Sequence, residues 1–532
     1  MIPTELARQA LPPWVPWMPL LAWGAASAVT TALVGGVVAR LSERGVTRTL
    51  HEPWPEHARA AWIARRNTVL ALLGACPAAG VFAPLFAGPA SAVDGKILAG
   101  VAATASILVA MGVRARQERR LWPLPLRTAE ALRGGVSFLV VLLGHLLAVA
   151  IIALLAPASG AVALGLLWLV ALGITLLWTR GVGLILGQAL GLVRPAPPRL
   201  LAIVEQARLQ AGVEVRQVAV LRWHKLNAFA FPAGGRLGFT DGALALLRDE
   251  ELADICAHEL GHLGEARKVV LARSLASAAF TPLVFAHAAL AHGGVGGWLA
   301  LTLPVLAILV VAGRLSRRME ERADEAGHAH AGLDPTSYAR TLEQVYRLNQ
   351  VPPVLGGRRA HPDLVDRMAA AGLKPTWSLP APPPRRASLA IGAAVVVLVS
   401  LLAGSLRLGS AWAANALHWR APTAALALRS SYGLDRQALT ALRDRAVGHG
   451  DSAQARALNS LVLSDAPREP GGWLAEVRLA GAQGDCPSAA EALATAARLS
   501  PEAVGSAEAW PPWPALGWSC PGVEPTPVPA GR

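Results

Sequence analysis

"RDEELADICAHELGHLGEA", residues 248–266, decides how this chain is read. Asp249, Glu250 and Glu251 crowd its start, where a helix macrodipole favours negative charge. Leu252, Ile255 and Leu263 recur at helical spacing. Positions i and i+4 share a helix face, so His258 and His262 aim two imidazoles at one point, with Glu259 beside them. This is the HExxH arrangement, in which two histidines grip a zinc ion and the glutamate handles a proton. The bland alternative is a helix with two solvated or core histidines.

Catalytic zinc takes three protein ligands and leaves one position for water. The best third ligand lies in "SRRMEERADEAGH", residues 316–328. Glu320 and Asp324 are again i and i+4 on an expected helix. Glu320 can ligate, and Asp324 can accept a hydrogen bond from a ligating imidazole and fix its tautomer. By itself this segment reads as a charged face carrying Arg317, Arg318 and Arg322. Its position changes that balance. It follows directly on an apolar hairpin, 269–313, that returns the chain to the side it left.

The surroundings of these motifs are membrane-like. Of 532 residues, 53% are hydrophobic and only 16% charged, with a mean hydropathy of +0.42. A soluble chain carries about one quarter charged residues. Eight stretches approach the length needed to cross a bilayer: 19–39, 68–87, 97–113, 136–156, 161–179, 269–291, 295–313 and 388–406. The stretch 97–113 is short, and 269–291 carries Pro282 and His287. Arginines gather in the loops after the first and third spans, whereas 157–160 and 292–294 hold no lysine or arginine. Basic short loops mark the cytoplasmic side. The expected plan places 180–268 and 314–387 in the cytoplasm and the tail, 408–532, outside. The net charge of +14 raises nucleic acid as a partner. Aromatic residues make up only 5% and no nucleic-acid motif is visible, so that class is set aside.

The run "NAFAFPAGGRLGFTDGALALLRDEELADICAHELGH", residues 227–262, resembles the core of the HtpX and CAAX-endopeptidase family of integral membrane zinc proteases. "MEERAD" and "HPDLVDR" follow in the family's order, the second supplying His361, Pro362 and Arg367. The resemblance covers roughly 200–370. It implies a gluzincin-type domain with a small β-sheet, one Zn²⁺ per chain held by His258, His262 and Glu320, Glu259 as general base and Asp324 behind the ligands. It also implies that the NAF strand is an exposed edge, with Asn227 and Ala228 lining it against an extended substrate; a core hairpin is the equal alternative for these side chains. The role of His361 and Arg367 stays open.

The whole is expected to be mainly α: a membrane domain over 1–193, a zinc protease domain over 194–386 with the inserted hairpin 269–313, a last span at 387–407 and an extracytoplasmic domain over 408–532. In that last part Gly450-Asp451 recurs as Gly484-Asp485, and Pro467 as Pro501, at the tetratricopeptide period of 34. Trp473, Ala489, Leu493 and Ala496 fall at signature positions. Cys486 and Cys520 are the only cysteines there, and a bridge between them is expected in an oxidising compartment. The expected function is a multi-pass endopeptidase of a bacterial inner membrane, with its site in the cytoplasm. Its substrates are membrane or misfolded polypeptides, and a protein partner at the repeats is a further expectation. The alternative is a non-catalytic membrane scaffold that recruits partners through those repeats.

Overall fold

The structure is a computed structural model that describes residues 18–82, 95–330, 335–356, 362–417, 420–423, 425, 436–506, 517–521 and 523. The chain divides into two compact units. One comprises residues 31–74 and 108–394, the other 1–30, 75–107 and 395–532. The protein is a multi-pass membrane protein. Among the described residues six helical stretches are long and apolar enough to cross a bilayer: Trp23–Thr47, Ile97–Leu121, Thr128–Leu155, Ala161–Thr179, Arg267–Glu325 and Arg385–Ser405. Their side chains show why. Val162, Leu166, Leu169 and Val170 on one helix are each more than half exposed, a surface suited to lipid rather than water.

The larger unit holds a four-stranded sheet: β1 (Val193–Pro195), β2 (Gln217–Leu221), β3 (Ala228–Phe231) and β4 (Arg236–Thr240), in spatial order β1-β2-β4-β3. β2 and β4 are parallel, while β1 and β3 each pair antiparallel on the outside. Among the described residues β3 therefore has one strand neighbour, β4, and pairs with no strand on its other edge. Two helices pack on this sheet, α1 (Pro198–Ala211) and α2 (Asp249–Leu263). Leu200 and Val204 from α1, Val220, Leu237 and Phe239 from the sheet, and Cys256 and Leu260 from α2 form one core. Leu252, Cys256 and Leu260 recur every four residues and are fully buried, so α2 sits on the core by one apolar face. Its start is fixed by Glu251, whose carboxylate accepts the Arg248 N–H at 2.8 Å.

Beyond α2 the chain runs through a helix, Arg267–Ala278, and a 3-10 turn, Thr281–Phe285, into α3 (Ala286–His330). α3 reverses at Gly294, whose φ of 56° and ψ of −148° are not helical. A Cβ built on Gly297 would strike the Ala289 carbonyl oxygen. In a straight helix residues eight apart are about 12 Å apart, so the chain folds back here. The segment ahead of this reversal is not one continuous helix: Pro282 opens the 3-10 turn because it has no N–H to continue a ladder. The expected span 68–87 begins on the helix Trp54–Phe82, and its last residues lie outside those described. α4 (Pro335–Asn349) and α5 (Leu364–Ala370) complete the domain through a core of Tyr338, Ala339, Leu342, Leu364 and Met368.

In the second unit the helices α6 (Arg436–Gly448), α7 (Ser452–Asp465), α8 (Pro470–Ala482) and α9 (Cys486–Leu499) follow one another. They form two helix pairs with the same turn. Gly450 and Gly484, 34 residues apart in sequence, adopt φ of 77° and 73°, and Asp451 and Asp485 cap the following helices by accepting from Gln454 N and Ser488 N. A disulfide joins Cys486 to Cys520 across a Cα–Cα distance of 5.3 Å. Trp518 packs beside Leu474 and Val477.

Candidate metal centre

α2 turns its polar face, His258, Glu259 and His262, toward a cavity of about 1130 Å³. All three residues are buried, with less than a tenth of their surface exposed. The two imidazole rings stand edge to face with centroids 4.9 Å apart. α3 brings Glu320 against them: its carboxylate oxygens lie 3.6 Å from His258 Nε2 and 3.4 Å from His262 Nε2. Ligand atoms of His258, His262 and Glu320 all fall within 4.8 Å of one another. Two imidazole nitrogens and one carboxylate are the donor set that a catalytic zinc site takes from protein.

The far side of each ring is held by a carboxylate. Asp324 Oδ1 lies 2.9 Å from His258 Nδ1. Glu265 Oε1 lies 2.9 Å from His262 Nδ1, and Arg273 meets the other carboxylate oxygen, Oε2, at 3.2 Å. An Nδ1 proton directed to a carboxylate leaves Nε2 free as a donor to a cation, so the donor set fits a metal. The Tyr338 hydroxyl sits 2.8 Å from His258 Nδ1 and donates to Asp324 Oδ1 at 2.8 Å. Arg367 Nε donates to Asp324 Oδ2 at 2.8 Å, and its Nη2 reaches both Asp324 and the Tyr338 oxygen. Burial works to lower the His262 pKa, but its bonds to Glu265 and Glu320 outweigh that and push it up to about 10. Burial acts on His258 in the same way, and Asp324 and Glu320 again win, raising it. Burial raises the Asp324 pKa, yet His258 and Arg367 hold it well below the usual carboxylate range.

Glu259 differs from the other acids. It is buried, lines the cavity, and has no hydrogen-bond or ion-pair partner among the described residues. The cavity is also lined by residues 226–231, the start and length of β3. Asn227 N donates to Thr240 Oγ1 at 3.0 Å, and Thr240 N returns a bond to Asn227 O at 3.1 Å. In an antiparallel pair the bonded residues alternate, so the Ala228 and Ala230 backbones face the open edge. The Asn227 side chain accepts the Ala228 N–H at 3.0 Å.

The structure thus gathers His258, Glu259, His262, Glu320 and Asp324 around one point and puts Asn227 and Ala228 on the wall of the same cavity. His361 lies outside the described residues. Glu265 and Tyr338 were not expected. An acid three places after the second histidine was a usable signal for Glu265; nothing in the sequence marks Tyr338, which arrives on a separate helix. Arg367, left open from sequence, is tied to Asp324.

Residues 197–372 match the model for Peptidase family M48. A protease HtpX homolog from Thermococcus sibiricus is 29% identical over 181 residues, covering 31% of this chain and 62% of that protein. One from Pyrococcus abyssi is 31% identical over 178 residues, 31% of this chain and 61% of its own length. A third, from Polynucleobacter necessarius, is 26% identical over 207 residues, covering 36% of this chain and 71% of that protein. The chain thus spans less than two thirds of the length of the first relatives it matches. The helix-borne histidine pair, the returning glutamate and the aspartate behind them all fall inside residues 197–372, the stretch that matches Peptidase family M48 and is similar to the protease HtpX homologs.

Proposed function

We propose that this protein is a membrane-embedded zinc endopeptidase that hydrolyses peptide bonds of membrane or misfolded proteins. His258, His262 and Glu320 hold one zinc ion. A zinc ion supplies Lewis acidity, which polarises a carbonyl and brings the pKa of a water in contact with it from 15.7 to about 7. The chain's own residues do the rest. Asp324, Tyr338 and Arg367 fix the ring of His258, and Glu265 with Arg273 fixes that of His262. Glu259 takes a proton from water on its carboxylate and returns it to the leaving amine nitrogen. The free edge of β3 pairs with the backbone of an extended peptide and presents its carbonyl to this machinery.

The observation that carries the proposal is Glu259: a buried carboxylate without a partner among the described residues, next to the metal-binding set. A structural metal site has no use for it. The arginine-rich loops favour a cytoplasmic site in a bacterial inner membrane, with the tail 408–532 outside, where the disulfide would persist. The test compares casein cleavage by purified protein with that by Glu259→Gln. Loss of cleavage by a factor of about 10³ or more, with zinc content unchanged, is expected for a missing general base. Equal cleavage by both forms overturns the proposal.

A further inference from the structure

We propose that the cavity carries a subsite for a carboxylate on the C-terminal side of the scissile bond, located at the N-terminal end of β3. This rests on the peptidase reading above. Lys225, two residues before Asn227, touches Glu118 and stands 4.3 Å over the Trp122 ring. Arg65 meets the same carboxylate at 3.1 Å. Arg114 lies one helical turn from Glu118 and donates to Gln117 Oε1 at 2.7 Å. Arg65, Arg114 and Lys225 line the cavity that also holds His258, Glu259 and Glu320. Among the described residues Arg65 and Lys225 bond the Glu118 carboxylate and Arg114 lies within its field, so three basic groups surround one acid there. Arg65 exposes less than a tenth of its surface, so solvent does little to offset the excess. The imbalance shows at Lys225: burial first, and then the neighbouring Arg65, lower its pKa to about 7 against the pull of Glu118. An incoming carboxylate restores the balance.

Strand direction places this cluster relative to the cut. A peptide adding antiparallel to β3 makes the straighter hydrogen bonds. Its C-terminal end then runs toward Ala228, Asn227 and Lys225. The cluster is fastened to the strand it serves. Asn349 accepts the Leu226 N–H at 3.0 Å and donates to the Leu226 carbonyl at 2.8 Å, while Arg65 donates to the Asn349 carbonyl at 3.1 Å. The cations therefore hold a fixed position along the substrate's path. Two sources supply the carboxylate, an acidic side chain or a free chain terminus.

The experiment uses the full-length protein in lipid nanodiscs and a quenched peptide whose cut site has been mapped by mass spectrometry. One pair of peptides carries Glu or Gln at successive positions after the cut. A second pair ends in a free carboxylate or its amide two to four residues after the cut. At one position the charged member is expected to have a kcat/KM about tenfold higher, the size of one charge-assisted hydrogen bond. The pair that shows the difference identifies the source. In Arg114→Gln the ratio is expected to fall toward one, and in Arg114→Lys to recover in part; thermal unfolding and zinc content monitor folding. If the parent cleaves both members of every pair equally, the subsite is wrong and the peptidase reading stands. An unchanged ratio in Arg114→Gln also overturns the subsite. If the parent cleaves nothing, the peptidase reading fails and the subsite with it.

Discussion

Tyr338 shares one hydroxyl among His258, Asp324 and Arg367, and so does work that no motif announces. Tyr338→Phe keeps the ring and deletes those bonds. Zinc affinity is expected to fall about tenfold, the lower end for partners behind a metal ligand; titration against a chromogenic chelator measures it, and an unchanged value would confine Tyr338 to packing. Protons and zinc compete for the same nitrogens. Because Glu265 and Glu320 outweigh burial and hold the His262 pKa at about 10, the ring carries a proton at neutral pH that zinc must displace. Raising the pH removes the competitor, so affinity climbs with pH and levels off above about 10. Calorimetry in buffers of different ionisation heat is expected to show release of about one proton or more per zinc at pH 7. At this scale the sequence was legible where spacing alone fixes geometry. His258, Glu259 and His262 share a helix, and Glu320 with Asp324 form an i, i+4 pair behind a hairpin. Glu265 follows Gly264 just past the helix end, and only its spacing of three from His262 marks it. Tyr338 meets His258 only through the packing of α4 against α2.

Gly294 is where the element scale enters. Its φ of 56° with ψ of −148° is open to almost no other residue, yet a Cβ there would meet nothing within 4 Å. The cost of Gly294→Ala is therefore pure backbone strain, of order 1–3 kcal/mol. Because the turn aims α3 back at α2, thermal unfolding is expected to shift downward together with zinc occupancy. A shift without loss of zinc would mean that α3 docks independently of the turn. The apolar pattern did not announce the break ahead of this turn, since hydropathy is blind to the missing N–H of Pro282. The alternation in "NAFAF" indicated a strand, and the resemblance supplied its place at an edge. That Asn227 folds its own amide onto the Ala228 N–H is a local bond that alternation cannot express.

Over the whole molecule the chain carries two compact units, and in one of them the membrane helices of 31–74 and 108–179 fall together with the protease segment. Composition marks lipid-facing surface and says little about which helices pack on which domain. In the second unit the disulfide closes a separation of 34 residues. Cys486→Ser with Cys520→Ser is expected to destabilise the repeat region by about 3–4 kcal/mol, read as an earlier transition in calorimetry; no shift would leave the helix pairs standing by packing alone. The return rod of α3 carries a last consequence. Glu320 rides about 39 Å along that rod from Gly294, counting 1.5 Å per residue, and most of the distance is apolar. A rod that must tilt to match hydrocarbon thickness changes where its carboxylate arrives. The position of this carboxylate relative to His258 and His262 is therefore expected to follow lipid chain length, and metal titration in nanodiscs of short-chain and long-chain lipid checks it.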